Sequence, residues 1–143
     1  MKALFSLGAV ALVVIAGQAF AQEDLVAKRQ ALMKENGAQA RTAAQMVQGA
    51  TPFDAAAAKA AMEKLAANAG EIPADFAPGT EGGDALPAIW ENFADFEAHA
   101  SALQDAAAAA AAAADQGAEA FTQAFGAVGR SCGGCHQLYR KPS

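Results

Sequence analysis

Residues 118–140 read AEAFTQAFGAVGRSCGGCHQLYR, and their periodicity settles the kind of structure to expect. Phe121, Phe125, Val128, Cys132, Cys135 and Tyr139 recur mostly three or four apart, the spacing that gathers side chains on one face of a helix. Gly126 and Gly129 weaken that helix only slightly. Three more helical stretches precede it. From Asp24 to Gln48, Leu25, Arg29, Leu32, Met33, Asn36, Ala40, Ala43 and Val47 form a similar stripe, with Gly37 as its weak point and Gly49 as its stop. Thr51 reads as the next N-cap, with Pro52 at the first helical position and Asp54 three residues on. Phe53, Ala57, Ala61 and Leu65 then line a helix that ends near Gly70. The third helix runs from Pro87 to about Ala114 with Ile89, Phe93, Phe96, Ala100, Leu103 and Ala107 facing inward, and closes in nine consecutive alanines. Asp115-Gln116-Gly117 breaks it. Between the second and third helices, EIPADFAPGTEGGD at 71–84 reads as a loop, long enough to carry the chain across the molecule. Its Ile72 and Phe76 are expected to fold back over one end.

Four helices with one apolar face each bury those faces against one another, which predicts an all-α antiparallel four-helix bundle. Composition agrees. Of 143 residues, 43 are alanine, the best helix former and a poor strand former, which excludes an all-β fold. An apolar fraction of 54 % against 17 % charged residues argues equally against disorder. The length suits one domain. So much alanine leaves the core lean in large side chains, a deficit that an apolar cofactor would fill.

The first 21 residues read as an export leader. Lys2 supplies a positive start, Leu4 to Ala16 is almost wholly apolar, and Ala19-Phe20-Ala21 offers small residues for cleavage after Ala21. The apolar run is too short to span a bilayer comfortably, so a retained anchor is the lesser alternative. Residues 22–143 then form the mature domain, with nine basic residues facing fifteen acidic ones. Such a charge excludes nucleic acid and anionic lipid as natural partners, and no later segment could insert in a membrane. Both cysteines lie in the exported part, where a disulfide is permitted.

Cys132-Gly133-Gly134-Cys135-His136 carries the chemistry. Two cysteines with two spacers and an immediate histidine form the attachment signal for c-type haem. On one helical turn the two sulfurs reach the two vinyl positions as thioethers, and the next residue can bring its imidazole beneath the iron. A thioredoxin-like dithiol would need a preceding strand, and none is visible. Zinc would need more ligands than His99 can add. A plain disulfide leaves His136 without a purpose.

With its attachment motif near the C-terminus, on the last helix of a four-helix pattern, the chain resembles the cytochrome c' family, the class II c-type cytochromes. Leu25-Val26-Ala27-Lys28-Arg29-Gln30 with Met33, Leu86-Pro87-Ala88-Ile89-Trp90, and Cys132 through Arg140 carry the likeness, which covers essentially the whole mature chain. The resemblance implies one covalent haem c with His136 as the iron's axial ligand. It implies that Arg29 approaches a propionate, that Met33 lies over the open side of the iron, and that Arg140 stands beside the proximal imidazole. Tyr139 and most of Phe93, Phe96, Phe121 and Phe125 are expected to pack the core, one or two of the phenylalanines touching the porphyrin. Trp90 is either a haem-edge contact or a cap near the long loop, and His99 is expected to be solvated.

The function implied is that of a periplasmic carrier, not an enzyme. Its haem would be high-spin and five-coordinate, binding nitric oxide or carbon monoxide, transferring electrons, or both. Two alternatives stay open: a low-spin electron carrier with Met33 as sixth ligand, and a non-redox nitric oxide scavenger. Soluble or membrane-bound redox proteins are the implied partners. A homodimer through the first two helices would use a surface rich in Ala38, Ala40, Ala43, Ala44 and Met46.

Overall fold

The structure is a computed structural model that describes the backbone of residues 10–142 and side chains from Asp24 onward. Among the described residues the α-helices are α1 (Val10–Val47), α2 (Ala55–Glu71), α3 (Ala88–Glu91), α4 (Phe93–Ala114) and α5 (Ala118–Tyr139). A 3-10 turn over Ile72–Phe76 follows α2 directly. No strand is formed among the described residues, only an isolated bridge between Ala85 and Arg140. The bundle proper is α1, α2, α4 and α5. Residue pairings show its antiparallel sense. Lys59 near the start of α2 pairs with Asp115 just past α4, while Gly70 near the end of α2 lies against Gln104 inside α4. Likewise Tyr139 near the end of α5 bonds Asp95 near the start of α4.

Several boundaries differ from the sequence expectation. Asp54, not Thr51, caps α2: its carboxylate accepts from the Ala57 backbone N–H at 2.9 Å, an arrangement open to a short acidic side chain in extended backbone. Phe53 stays outside the helix and sets its ring 5.7 Å from that of Phe121. The third helix is split at Asn92, whose extended φ of -138° interrupts the turn between α3 and α4. The long loop does not cross the bundle, because α2 and α4 pack directly on one another. It covers one end instead, with Ile72 and Phe76 buried as expected. Trp90 settles as a cap: its indole N–H donates to the carbonyls of Phe76 and Ala77 at 3.0 and 3.2 Å.

α1 is continuous into the segment read as an export leader, whose first nine residues lie outside the described part. Among the described residues no helix is long and apolar enough to cross a membrane.

Alanine decides the packing. Ala107, Ala110, Ala111, Ala113 and Ala114 of the nine-alanine run are buried, and their thin side chains let α2 and α5 approach α4 closely. Phe121, Met62, Leu65, Ile89 and Val128 supply the bulk. The four sides are unequal. α4 meets both α2 and α5 along its length, while α1 packs on α2 but barely touches α5. Of the surface expected to pair two copies, Ala43 is fully buried within the subunit, Ala40 faces the cavity and Met46 packs partly against the core, which leaves Ala38 exposed and Ala44 half-buried. The period of α1 turns Ala40 and Ala43 inward.

Candidate functional site

Where α1 and α5 stand apart, a cavity of about 590 Å³ opens, within the roughly 300–1,000 Å³ of cofactor pockets. One wall is the stripe of α1 containing Val26, Arg29, Met33, Asn36, Gly37 and Ala40, spaced at one helical turn. α5 supplies Cys132, Cys135, His136 and Tyr139, and α4 supplies Phe96, His99, Ala100 and Leu103. Residues 82–85 close the rim. That rim is stitched to the end of α5: Leu86 donates its backbone N–H to the Tyr139 carbonyl at 2.9 Å, Lys141 donates its own to Asp84 at 2.8 Å, and the Lys141 ammonium reaches the Gly83 carbonyl at 2.6 Å.

All six residues singled out from the sequence, Arg29, Met33, Cys132, Cys135, His136 and Arg140, line this one cavity. Cys132 and Cys135 are free thiols, half-buried, on one turn of α5. Burial pushes both thiols up; for Cys135 the neighbouring Cys132 and then Asp95 add to it, and it reaches about 11. Both are therefore protonated at neutral pH. His136 moves the other way, held below its ordinary value by desolvation at the wall and then by the Arg140 guanidinium. Its imidazole is neutral at pH 7 and keeps a nitrogen lone pair available. Added side-chain bulk at Gly133 would meet nothing within 4 Å, and at Gly134 only His99, at 3.9 Å. The residues fit a c-type haem: two protonated thiols and a neutral imidazole share one wall of a largely apolar, haem-sized cavity. Among the described residues no group of three His, Cys, Asp or Glu side chains converges to hold a bare metal ion.

Arg29 has a task that its spacing did not reveal. It is 4 % exposed, and its guanidinium donates to the Thr80 carbonyl at 2.7 Å, more distantly to the Asp75 and Gly82 carbonyls, and lies 4.6 Å from the Phe76 ring centre. Burial lowers its pKa, with Asp75 opposing that shift, yet so strong a base stays charged. Arg29 thus pins the loop that forms the cavity rim. Asp75, buried beside it, is also paired with Lys28. Replacing Arg29 by methionine keeps most of the packing and removes the donors. It should destabilise the protein by about 2–3 kcal/mol in denaturant titrations, the scale of charge-assisted hydrogen bonds to buried acceptors.

The aromatic residues divide between two places. Phe96 lies on the cavity wall, its ring 4.9 Å from that of Phe76 and 5.4 Å from that of Tyr139. Phe121 and Phe125 stack 5.9 Å apart elsewhere in the bundle. His99 was expected in solvent, but lines the cavity with its ring edge-on to Tyr139 at 5.8 Å. Tyr139 packs as expected and also donates its hydroxyl to Asp95, which, with burial, pushes the phenol up to about 12. In the unfolded chain a tyrosine ionises near pH 10. Above that pH the unfolded state has lost a proton that the folded state retains, so stability should fall from about pH 10 to about pH 12. Tyr139→Phe should flatten that part of a stability-against-pH curve relative to the natural protein.

Asn36 escaped attention in the sequence, where it reads as one more member of a helical stripe. It is buried on the cavity wall, its Oδ1 accepting from Asn68 Nδ2 at 2.9 Å. Its own Nδ2 finds no acceptor among the described residues.

Comparison with known proteins bears directly on this site. The family described as Cytochrome C' matches residues 24–140. Cytochrome c-556 of Agrobacterium fabrum is 41 % identical over 116 residues, covering 80 % of each chain. Cytochrome c' of Alcaligenes xylosoxydans is 42 % identical over 120 residues, covering 83 % of this chain and 94 % of its own. A nitric oxide complex of a point variant of cytochrome c prime from Alcaligenes xylosoxidans superposes with a TM-score of 0.80 at 41 % identity, covering 85 % of this chain and 97 % of the other. Members of this family carry a single covalently bound haem c, are typically periplasmic, often pair as homodimers, and serve as electron or gas carriers rather than catalysts. A bundle of matching architecture, an attachment motif facing a haem-sized cavity and a match along nearly the whole described chain lead to one conclusion: the protein belongs to the cytochrome c' family, the class II c-type cytochromes.

Proposed function

We propose that this chain is an exported haem c protein that holds its iron through His136 alone, binds nitric oxide or carbon monoxide on the opposite side, and passes electrons. The observation that carries the reading is the meeting of Cys132, Cys135 and His136 with Arg29 and Met33 across a single cavity. When bound, haem c supplies an iron that changes oxidation state and accepts a diatomic ligand. The residues do the rest. Cys132 and Cys135 tether the porphyrin as thioethers, so the carrier cannot lose it. His136, kept neutral, offers its nitrogen to the metal, and Arg140 beside it disfavours further positive charge there. Arg29, while pinning the rim, brings a buried cation to where a propionate would lie. Met33 presents an apolar side chain from α1, limiting what can enter. Family likeness supports the same assignment, since cytochromes c' are known for high-spin haem and for binding these gases. Residues 1–21 would be removed on export, leaving α1 helical from the new N-terminus. Pairing of two copies would use what remains exposed on α1 and α2.

A second reading is favoured by the chemistry of one side chain. Met33 is the thioether on the α1 wall, and a thioether sulfur is an iron ligand as well as a shield. Visible spectra of both redox states, with and without carbon monoxide, separate the two. The open-site assignment expects high-spin bands and a Soret shift on adding the gas. Low-spin bands with a methionine–iron charge-transfer feature, unmoved by carbon monoxide, would establish Met33 as sixth ligand.

A further inference from the structure

Asn36 stands one helical turn beyond Met33 on α1 and is 7 % exposed, while its partner Asn68, on α2, is 2 % exposed. An amide side chain has an acceptor end and a donor end. Asn68 holds the acceptor end at 2.9 Å, which fixes the Asn36 side chain against α2. The donor end, Nδ2, is left without an acceptor among the described residues. Its neighbours along the cavity wall, Met33, Gly37, Ala40, Ile72 and Phe76, carry no side-chain oxygen to receive it. Pairing with Asn68 accounts for the acceptor end of Asn36 but not for its donor end, and buried polar groups are stable only when bonded.

We propose that Asn36 is a hydrogen-bond donor to a small ligand held on the Met33 side of the site, oriented for that role by Asn68, and that it biases the site toward ligands whose outer atom carries negative charge. This rests on the haem reading above. Cyanide-like anions and reduced nitrogen or oxygen diatomics belong to that class. Carbon monoxide does not, since its outer atom accepts hydrogen bonds poorly. A donor fixed beforehand at the wall strengthens binding in proportion to the charge it meets.

The test compares the haem-loaded protein with its Asn36→Leu variant, each also carrying Met33→Ala so that the far side is open whether or not the sulfur bonds to iron. The probes are cyanide for the ferric form and carbon monoxide for the ferrous form. Loss of the donor should weaken cyanide about tenfold and change carbon monoxide by less than about twofold. The stretching frequency of bound carbon monoxide should rise, because a nearby donor pulls electron density into its antibonding orbitals. Asn68→Leu should give a partial loss of the same selectivity. Equal changes for both ligands, with no shift in the stretch, overturn the proposal, since a packing role would move stability but not the ratio. If Asn36→Leu fails to fold because Asn68 loses its acceptor, the double variant Asn36→Leu/Asn68→Leu removes both amides and is read in the same way. Protein that carries no haem at all sinks the parent reading along with this one. A haem protein with unchanged selectivity sinks this one alone.

Discussion

Made in a host competent in haem attachment, a variant with both Cys132 and Cys135 changed to serine should have the mass of the bare polypeptide and no Soret band. The natural chain should carry the added mass of one haem, resistant to acid–acetone extraction. Serine keeps nearly the same volume at both half-buried positions, so the loss would report on bonding and not on packing. The effect should extend beyond colour. Without the porphyrin the largely apolar walls around the 590 Å³ cavity lose their packing partner and face water, at about 25 cal/mol per Å² of apolar surface left exposed. That loss weighs heavily on a domain of ordinary stability, about 5–15 kcal/mol. Circular dichroism should therefore show a much lower or uncooperative melting transition, with helix content partly retained. A variant that melts like the natural protein and keeps the Soret band would remove the basis for the attachment assignment.

Met33→Ala should raise the affinity for carbon monoxide roughly ten- to hundredfold. On the proposed open-site reading an incoming ligand would have to displace the methionine side chain against the α1 wall, and forced repacking of that kind costs about 1–3 kcal/mol. Alanine at the same turn of α1 removes that cost while leaving the helix intact. Flash photolysis or equilibrium titration of the ferrous protein measures the change. If the sulfur is bonded to iron in the natural protein, the same substitution has a different signature. Low-spin bands in the untreated protein would give way to high-spin ones, and carbon monoxide binding would pass from negligible to ready. An affinity unchanged by the substitution, with high-spin spectra before and after, would show that Met33 neither shields nor ligates.

These experiments divide between features that were legible in the chain and features that were not. The stripes at three- and four-residue spacing identified the bundle helices, because an exposed polar face and a buried apolar face leave their record in the order of residues. The attachment motif is local, five consecutive residues, and needs no tertiary information to be read. Helix ends were less legible. Thr51-Pro52 and Asp54 both offer capping chemistry, and only the structure shows Asp54 as the cap with Phe53 outside the helix, its ring against that of Phe121 on α5. Trp90 read equally as a haem-edge contact or as a cap near the long loop until the carbonyls of Phe76 and Ala77 were seen to accept its N–H.

Order along the chain thus determined the helices, the bundle and the chemistry of attachment, since each depends on residues within a few turns of one another. Only the packed molecule decided that α1 and α5 separate to leave a cavity, that the Arg29 guanidinium closes on carbonyls about fifty residues away, and that Asn36 meets Asn68 with one donor unspent. A helical period says which side chains point inward. It does not say how far apart two inward faces will stand, or which distant backbone atoms will meet a buried charge, because those follow from the summed volumes and hydrogen-bond demands of all four helices together.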